Sequence, residues 1–229
     1  MAADPRWVPS PAFLKAFEAA CLAHGNDARK INREPYIGHL MGVASLVIEH
    51  NGTQDQAIAA LLHDIIEDSP MTYEELEFEF GPGVRKIVQA CTDAMHADKA
   101  IEKEERKSLS KEQYEDKWWE RKKDYLDRLE KKDHTDPSVL VALADKVNNG
   151  EKSALDLSKL SHEEVVTFWD TNFNVGYKRQ RDWYQGLAAA FIKVSQTTVL
   201  DEKGYEVPMH ELQQRLVQRF TNAVSAMFK

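Results

Sequence analysis

The stretch Ala59-Ala-Leu-Leu-His-Asp-Ile-Ile-Glu-Asp-Ser-Pro70 governs how this chain folds. Ile58, Leu61, Leu62 and Ile65 recur at three- and four-residue steps, an amphipathic helical pattern that Ser69-Pro70 ends. Four ionisable groups, His63, Asp64, Glu67 and Asp68, arrive at the edge of that apolar run, and few structural needs explain them. On a continuous helix His63 and Glu67 are four apart, as are Asp64 and Asp68, so each pair shares a face. The same period returns on either side, in Val43, Leu46 and Val47 and in Leu212, Leu216, Val217, Phe220, Val224 and Met227. Strand-like alternation is scarce, and the fold class is all-α.

Punctuation divides the pattern into elements. Asn51-Gly52 closes one helix, and Gly81-Pro82-Gly83 separates an acidic helix at Tyr73–Phe80 from another at Val84–Asp93. Thr72 followed by Glu75 forms a capping box that opens the first of these. From Ala97 to Asp133 both charge signs crowd together around a few anchors, among them Trp118, Trp119, Tyr125 and Leu129. The charge pattern alone reads as a mobile loop followed by a solvated helix. Its cations Arg121, Lys122 and Lys123 are also candidates for a phosphate-binding lid. After Asp136-Pro137, the run Val139 to Ala144 is apolar on nearly every side and predicts a buried helix. No internal repeat and no linker stand out, so the chain divides into one helical domain over 1–160 and a C-terminal helical extension over 161–229.

Composition sets bounds on function. With 229 residues, 42% hydrophobic and 30% charged, the chain is long enough for one sizeable core and is not disordered as a whole. Thirty Lys and Arg against 38 Asp and Glu give a net charge of −8, which argues against a nucleic-acid binder. No apolar run is long enough to span a membrane, and Met1 to Phe13 lacks the layout of a signal peptide. Cys21 and Cys91 form no CxxC and suggest neither a disulfide framework nor a thiolate zinc site. A cytoplasmic protein with reduced thiols is the expectation. Aromatic residues of the extension, Phe168, Trp169, Phe173, Tyr177, Trp183, Tyr184 and Phe191, fit helix packing or a subunit contact better than base stacking. A homo-oligomer is left open.

Two further polar residues interrupt apolar stripes: His39, within Pro35–Ala44, and Asp145, at the end of the Val139–Ala144 run. A buried aspartate is rare unless it is paired or bound to metal. His39, His63, Asp64 and Asp145 together make a mixed nitrogen and oxygen set that suits Mn²⁺, Fe²⁺ or Zn²⁺. Glu67 and Asp68 would then be carboxylates beside a bound water.

The order His39, His63-Asp64, Asp145 resembles the HD superfamily of metal-dependent phosphohydrolases. The surrounding text narrows the likeness: Arg29-Lys30, Pro35-Tyr36-Ile37-Gly38-His39, Ala60 to Asp68, Thr72 with Glu74-Glu75, Phe80-Gly81, Thr92-Asp93 and Leu143-Ala-Asp-Lys-Val-Asn-Asn149. From about Arg29 to Asn149 it is similar to the hydrolase domain of the RelA/SpoT homologues. Departures are Leu40 after the histidine, where the family usually has proline, Ile65-Ile66 in place of Thr-Val, and a longer, more charged insert before Asp145.

This resemblance implies an HD-domain bundle that removes the 3′-pyrophosphate of guanosine tetra- and pentaphosphate alarmones, as a stand-alone small alarmone hydrolase. It implies one Mn²⁺ on His39, His63, Asp64 and Asp145, with Glu67 and Asp68 as the catalytic pair. It points Arg29, Lys30, Tyr36, Lys146 and Asn149 toward the nucleotide. Two alternatives stay open: an HD phosphohydrolase acting on another nucleotide, such as a deoxynucleoside monophosphate or NADPH phosphatase, and a binding protein that holds metal and nucleotide without turnover. Against the second stand Glu67 and Asp68, which would repel an anionic ligand in a protein that only binds it.

Overall fold

The computed structural model describes residues 7–29, 33–93 and 109–229; Lys30 and the part of the charged segment from 97 to 108 lie outside them. The regular secondary structure of the described residues is helical, with isolated antiparallel bridges at Ala28 and Pro35 and at Leu200 and Glu206. The helices are α1 (Pro11–His24), α2 (Ile37–Glu49), α3 (Gln54–Leu62), α4 (Ile65–Asp68), α5 (Tyr73–Cys91), α6 (Lys111–Glu130), α7 (Pro137–Leu157), α8 (His162–Asn172), α9 (Tyr177–Ser195) and α10 (Glu211–Met227). No helix among them is long and apolar enough to cross a membrane.

At the centre α2, α3 and α7 pack on one another. α3 is buried from Gln56 to Leu62, and Thr53 and Gln56 close a capping box at its start. α7 begins at Pro137 behind the N-cap Asp136 and is buried from Ser138 to Asp145, as the apolar run predicts. α1 lies on α2 and α3, and α5 lies on α3 and α7.

Two details differ from the reading of the sequence, and one agrees with it. The apolar helix does not run on through His63 and Asp64: α3 stops at Leu62, and α4 starts at Ile65 as a separate turn. Asp64 caps that turn, its carbonyl accepting from the amides of Glu67 and Asp68 at 3.0 and 2.9 Å. Within α5 the helical backbone is broken at Gly81, as the Gly81-Pro82-Gly83 punctuation predicts, and its φ of 89° and ψ of 165° is a conformation open essentially to glycine alone. Finally, α6 is not a solvated helix. Tyr114, Trp118, Tyr125 and Leu129 form one buried stripe that packs against α9, with Trp118 and Tyr125 edge-on to Trp183 at 6.4 and 5.6 Å.

The helices after Ser161 share the core. α10 packs along α7 and α9, and Phe220, fully buried, lies over Gly150 of α7, where the missing side chain lets the helices approach. The aromatics of this region fill space as expected, Trp169 stacking on Phe228 at 5.3 Å and lying 4.6 Å from Phe173. Because α10 supports the helix that carries Asp145, Phe220→Ala is expected to cost about 3–5 kcal/mol. Urea unfolding measures this, and a cost below about 1 kcal/mol would show α10 to be only loosely applied.

Candidate metal centre and active site

His39, His63 and Asp145 come from α2, the end of α3 and α7, and one ligand atom from each lies within 4.8 Å of the other two. All three residues are buried. His39 Nε2 is 3.3 Å and His63 Nε2 3.6 Å from the same oxygen, Asp145 Oδ1, and the two rings meet edge to face at 5.3 Å. Asp64 stands beside this trio, its Oδ2 3.0 Å from His63 Nε2.

The neighbours of each ring settle which nitrogen faces inward. His63 Nδ1 lies 2.8 Å from the Ala60 carbonyl, which can only accept, so Nδ1 carries the proton. His63 Nε2 is then the nitrogen that faces inward, buried and without a hydrogen bond of sound geometry. His39 Nδ1 lies 2.8 Å from Asn148 Oδ1, an atom that Arg29 Nη1 also approaches at 3.4 Å. Arginine only donates, which identifies the shared atom as oxygen, so His39 donates from Nδ1 and turns Nε2 inward. Two imidazole Nε2 atoms and a carboxylate that converge on one buried point fit a divalent cation.

Charges around the trio are balanced locally. Burial pushes the Asp145 carboxyl up, but the Lys146 ammonium and the two histidines hold it well below the usual carboxylate range. Burial pulls Lys146 down, yet Asp145, at 2.6 Å from Nζ, keeps it well above the usual lysine range and therefore charged. Burial lowers His63, and Asp64 with Asp145 more than reverse this, so without a metal its ring favours a proton. Asp64 is raised by burial and drawn down by His63, with the second effect prevailing.

The residues expected to meet a nucleotide are partly committed to this centre. Asn149 Nδ2 donates to Asp145 Oδ1 at 2.6 Å, and its Oδ1 accepts from Arg29 Nη2 at 2.9 Å. Tyr36 donates to Asp64 Oδ2 at 2.5 Å and its ring lies 5.2 Å from those of His24 and His39. Burial and Asp64 raise that phenol, so it stays a donor. Glu67, half-buried on α4, accepts from the backbone N–H of Asp93 at 2.8 Å; Asp68 is exposed at the end of the same turn. Arg121 and Lys122 are engaged with Asp93 at 3.4 and 2.5 Å, which gives them a use other than the lid the charge run suggested, while Lys123 is exposed. Lys30 lies outside the described residues.

Asn148 and Asp93 contribute to the site without belonging to the residues that the sequence pattern assigns to it. Asn148 had a signal: Asp145, Asn148 and Asn149 are spaced 0, 3 and 4 along α7 and share a face. Gly42 completes the contact, since a Cβ there would collide with the Asn148 amide. Asp93 had no comparable signal, because its role depends on α6 crossing it.

Helices that bring two histidines and an aspartate to one buried point make a helical protein with a candidate divalent-metal centre. A model of the HD domain matches residues 16–163, and the chain belongs to that family. It is 43% identical over 102 residues to guanosine-3′,5′-bis(diphosphate) 3′-pyrophosphohydrolase MESH1 of Xenopus tropicalis, covering 43% of this chain and 55% of that protein. The human protein of the same description is 36% identical over 140 residues, 59% of this chain and 66% of that one. The matched stretch thus spans between about half and two thirds of these curated relatives. A solved structure described as a metazoan ortholog of SpoT that hydrolyses ppGpp aligns with a TM-score of 0.61 over 94% of this chain and 97% of that one, at 22% identity, and has the same fold.

Outer partners of metal-binding histidines fix ring orientation, and losing one typically costs 10- to 100-fold in affinity. Asn148→Ala is therefore expected to weaken divalent-cation binding by about that factor in titration calorimetry. Unchanged affinity would mean that packing alone orients His39.

Proposed function

We propose that the chain is a metal-dependent alarmone hydrolase that cleaves the 3′-pyrophosphate of guanosine tetra- and pentaphosphate, releasing pyrophosphate and leaving GDP or GTP. The observation that carries this reading is the convergence of His39, His63 and Asp145 with Glu67 and Asp68 one turn beyond Asp64. Likeness to proteins described as guanosine-3′,5′-bis(diphosphate) 3′-pyrophosphohydrolases supplies the substrate class. We assign His39, His63, Asp64 and Asp145 to one Mn²⁺. When bound, the cation supplies Lewis acidity and lowers the pKa of water near it.

The chain's own groups do the rest. Glu67 and Asp68 orient the attacking water, take its proton and return one to the departing 3′-oxygen as the phosphorus–oxygen bond breaks, a role typically worth 10²- to 10⁴-fold. Lys146, held protonated by Asp145, and Arg29, which spans Asn148 and Asn149, place positive charge near the polyanion despite the overall −8. Asn149, Tyr36 and Lys30 complete the nucleotide side by resemblance. Tyr36 also holds Asp64, so the same residue can link substrate and metal subsites. We assign 1–160 to the hydrolase unit and 161–229 to a helical extension; the packing of α10 along α7 supports the extension as a buttress. A cytoplasmic location suits this substrate.

The test is incubation of Mn²⁺-loaded protein with guanosine 3′,5′-bis-diphosphate while GDP and pyrophosphate are followed. Equal amounts of both, lost on chelation, are expected; orthophosphate instead would point to a different nucleotide phosphatase. Glu67→Gln should keep metal and lose about 10²- to 10⁴-fold in turnover. Asp64→Asn should lose metal and turnover together. A Glu67→Gln variant with near-normal rate would overturn the acid/base assignment.

A further inference from the structure

We propose that Lys122 is a positioning residue that fixes the Glu67 carboxylate through Asp93. The inference rests on the acid/base role proposed for Glu67 and assigns the charged helix α6 a part in the reaction.

Glu67 sits on a single four-residue turn, α4, which gives a long carboxylate little inherent order. One of its oxygens, Oε1, is held by the Asp93 backbone N–H at 2.8 Å. Asp93 stands where α5 has just ended. Thr92, the C-cap, donates both its amide and its hydroxyl to the Val88 carbonyl, at 3.0 and 2.9 Å, which anchors the chain on the near side of Asp93. On the side chain of Asp93 the hold comes from α6: Lys122 Nζ donates to Oδ2 at 2.5 Å, and Arg121 Nε lies 3.4 Å from the same oxygen.

Lys122 is not an ordinary surface cation. Its ammonium lies 4.6 Å from the Trp183 ring centroid and 5.4 Å from that of Trp118, so α6 and α9 enclose it with aromatic faces. Burial lowers its pKa, and Asp93 is the leading influence in the opposite direction. Asp93 is in turn raised by burial and brought below its ordinary value chiefly by Lys122. An ion pair so enclosed is directional and costly to break, unlike an exposed one. The connection therefore runs from the α6–α9 aromatic layer through Lys122 to Asp93, and from its amide to Glu67. Misplacement of a reacting group by about 1 Å can cost 10²-fold, which sets the scale of the effect.

Lys122→Met keeps the stem between the two tryptophans and removes the charge; Lys122→Arg keeps the charge. The first reading is hydrogen exchange of the Asp93 amide by NMR, which needs no substrate. The second is steady-state turnover of guanosine 3′,5′-bis-diphosphate by the Mn²⁺-loaded protein. Lys122→Met is expected to expose the Asp93 amide and to lower kcat by about 10- to 100-fold with KM and Mn²⁺ affinity within about two-fold. Lys122→Arg should recover most of the loss. In a Glu67→Gln background Lys122→Met should cost no more than about two-fold, because its effect passes through Glu67. Asp93→Asn, which keeps the amide and the shape, should reproduce the phenotype and serves if Lys122→Met fails to fold. Unchanged exchange at Asp93, or the same loss with Glu67 already replaced, would overturn the proposal. If the unaltered protein turns over no alarmone, the proposed function fails, while exchange at Asp93 still decides whether Lys122 holds it.

Discussion

A carboxylate buried in a helix of apolar neighbours is the constraint on which this structure turns. Asp145 follows Val141 to Ala144, all buried, and is itself 7% exposed. Left alone, such a charge would cost several kcal/mol or take up a proton. It does neither, because Lys146 and Asn149 approach it from its own helix and His39 and His63 from two others. Three helices must therefore meet at that residue and at a defined depth. The surrounding hydrogen bonds, Asn148 to His39, Arg29 across both asparagines and Tyr36 to Asp64, are the means by which that meeting is held in register.

The same logic explains how buried cations are held in place in an acidic protein. Net charge describes the long-range field, whereas Lys146, Lys122, Arg121 and Arg29 act at contact distance, each fixed by a carboxylate or amide. Each carboxylate partner also does a second task. Asp145 belongs to the histidine cluster, and Asp93 presents the amide that holds Glu67. Local neutrality and positional order are thus produced by the same pairs.

Much of this is legible in the residues themselves. The helical class, the buried α7 and the trio His39, His63 and Asp145 follow from polar residues interrupting apolar periodicity, which is a local signal. What escapes is whatever depends on contacts between distant segments. The break between α3 and α4 was hidden because His63-Asp64 continues an unbroken helical pattern. α6 read as solvated because its four buried positions, Tyr114, Trp118, Tyr125 and Leu129, are outnumbered by charges, and only Trp183 on α9 reveals which face is covered. Lys122 looked like one cation among several until Asp93, 29 positions earlier, appeared beneath it.

The central claim is that one divalent cation occupies the point shared by His39, His63 and Asp145. Crystals of the protein grown with Mn²⁺ and measured at the manganese absorption edge test it most directly. The account predicts one anomalous peak per chain, within coordination distance of both Nε2 atoms, Asp145 and Asp64. Anomalous density elsewhere on the chain, with none between the two histidines, would contradict it.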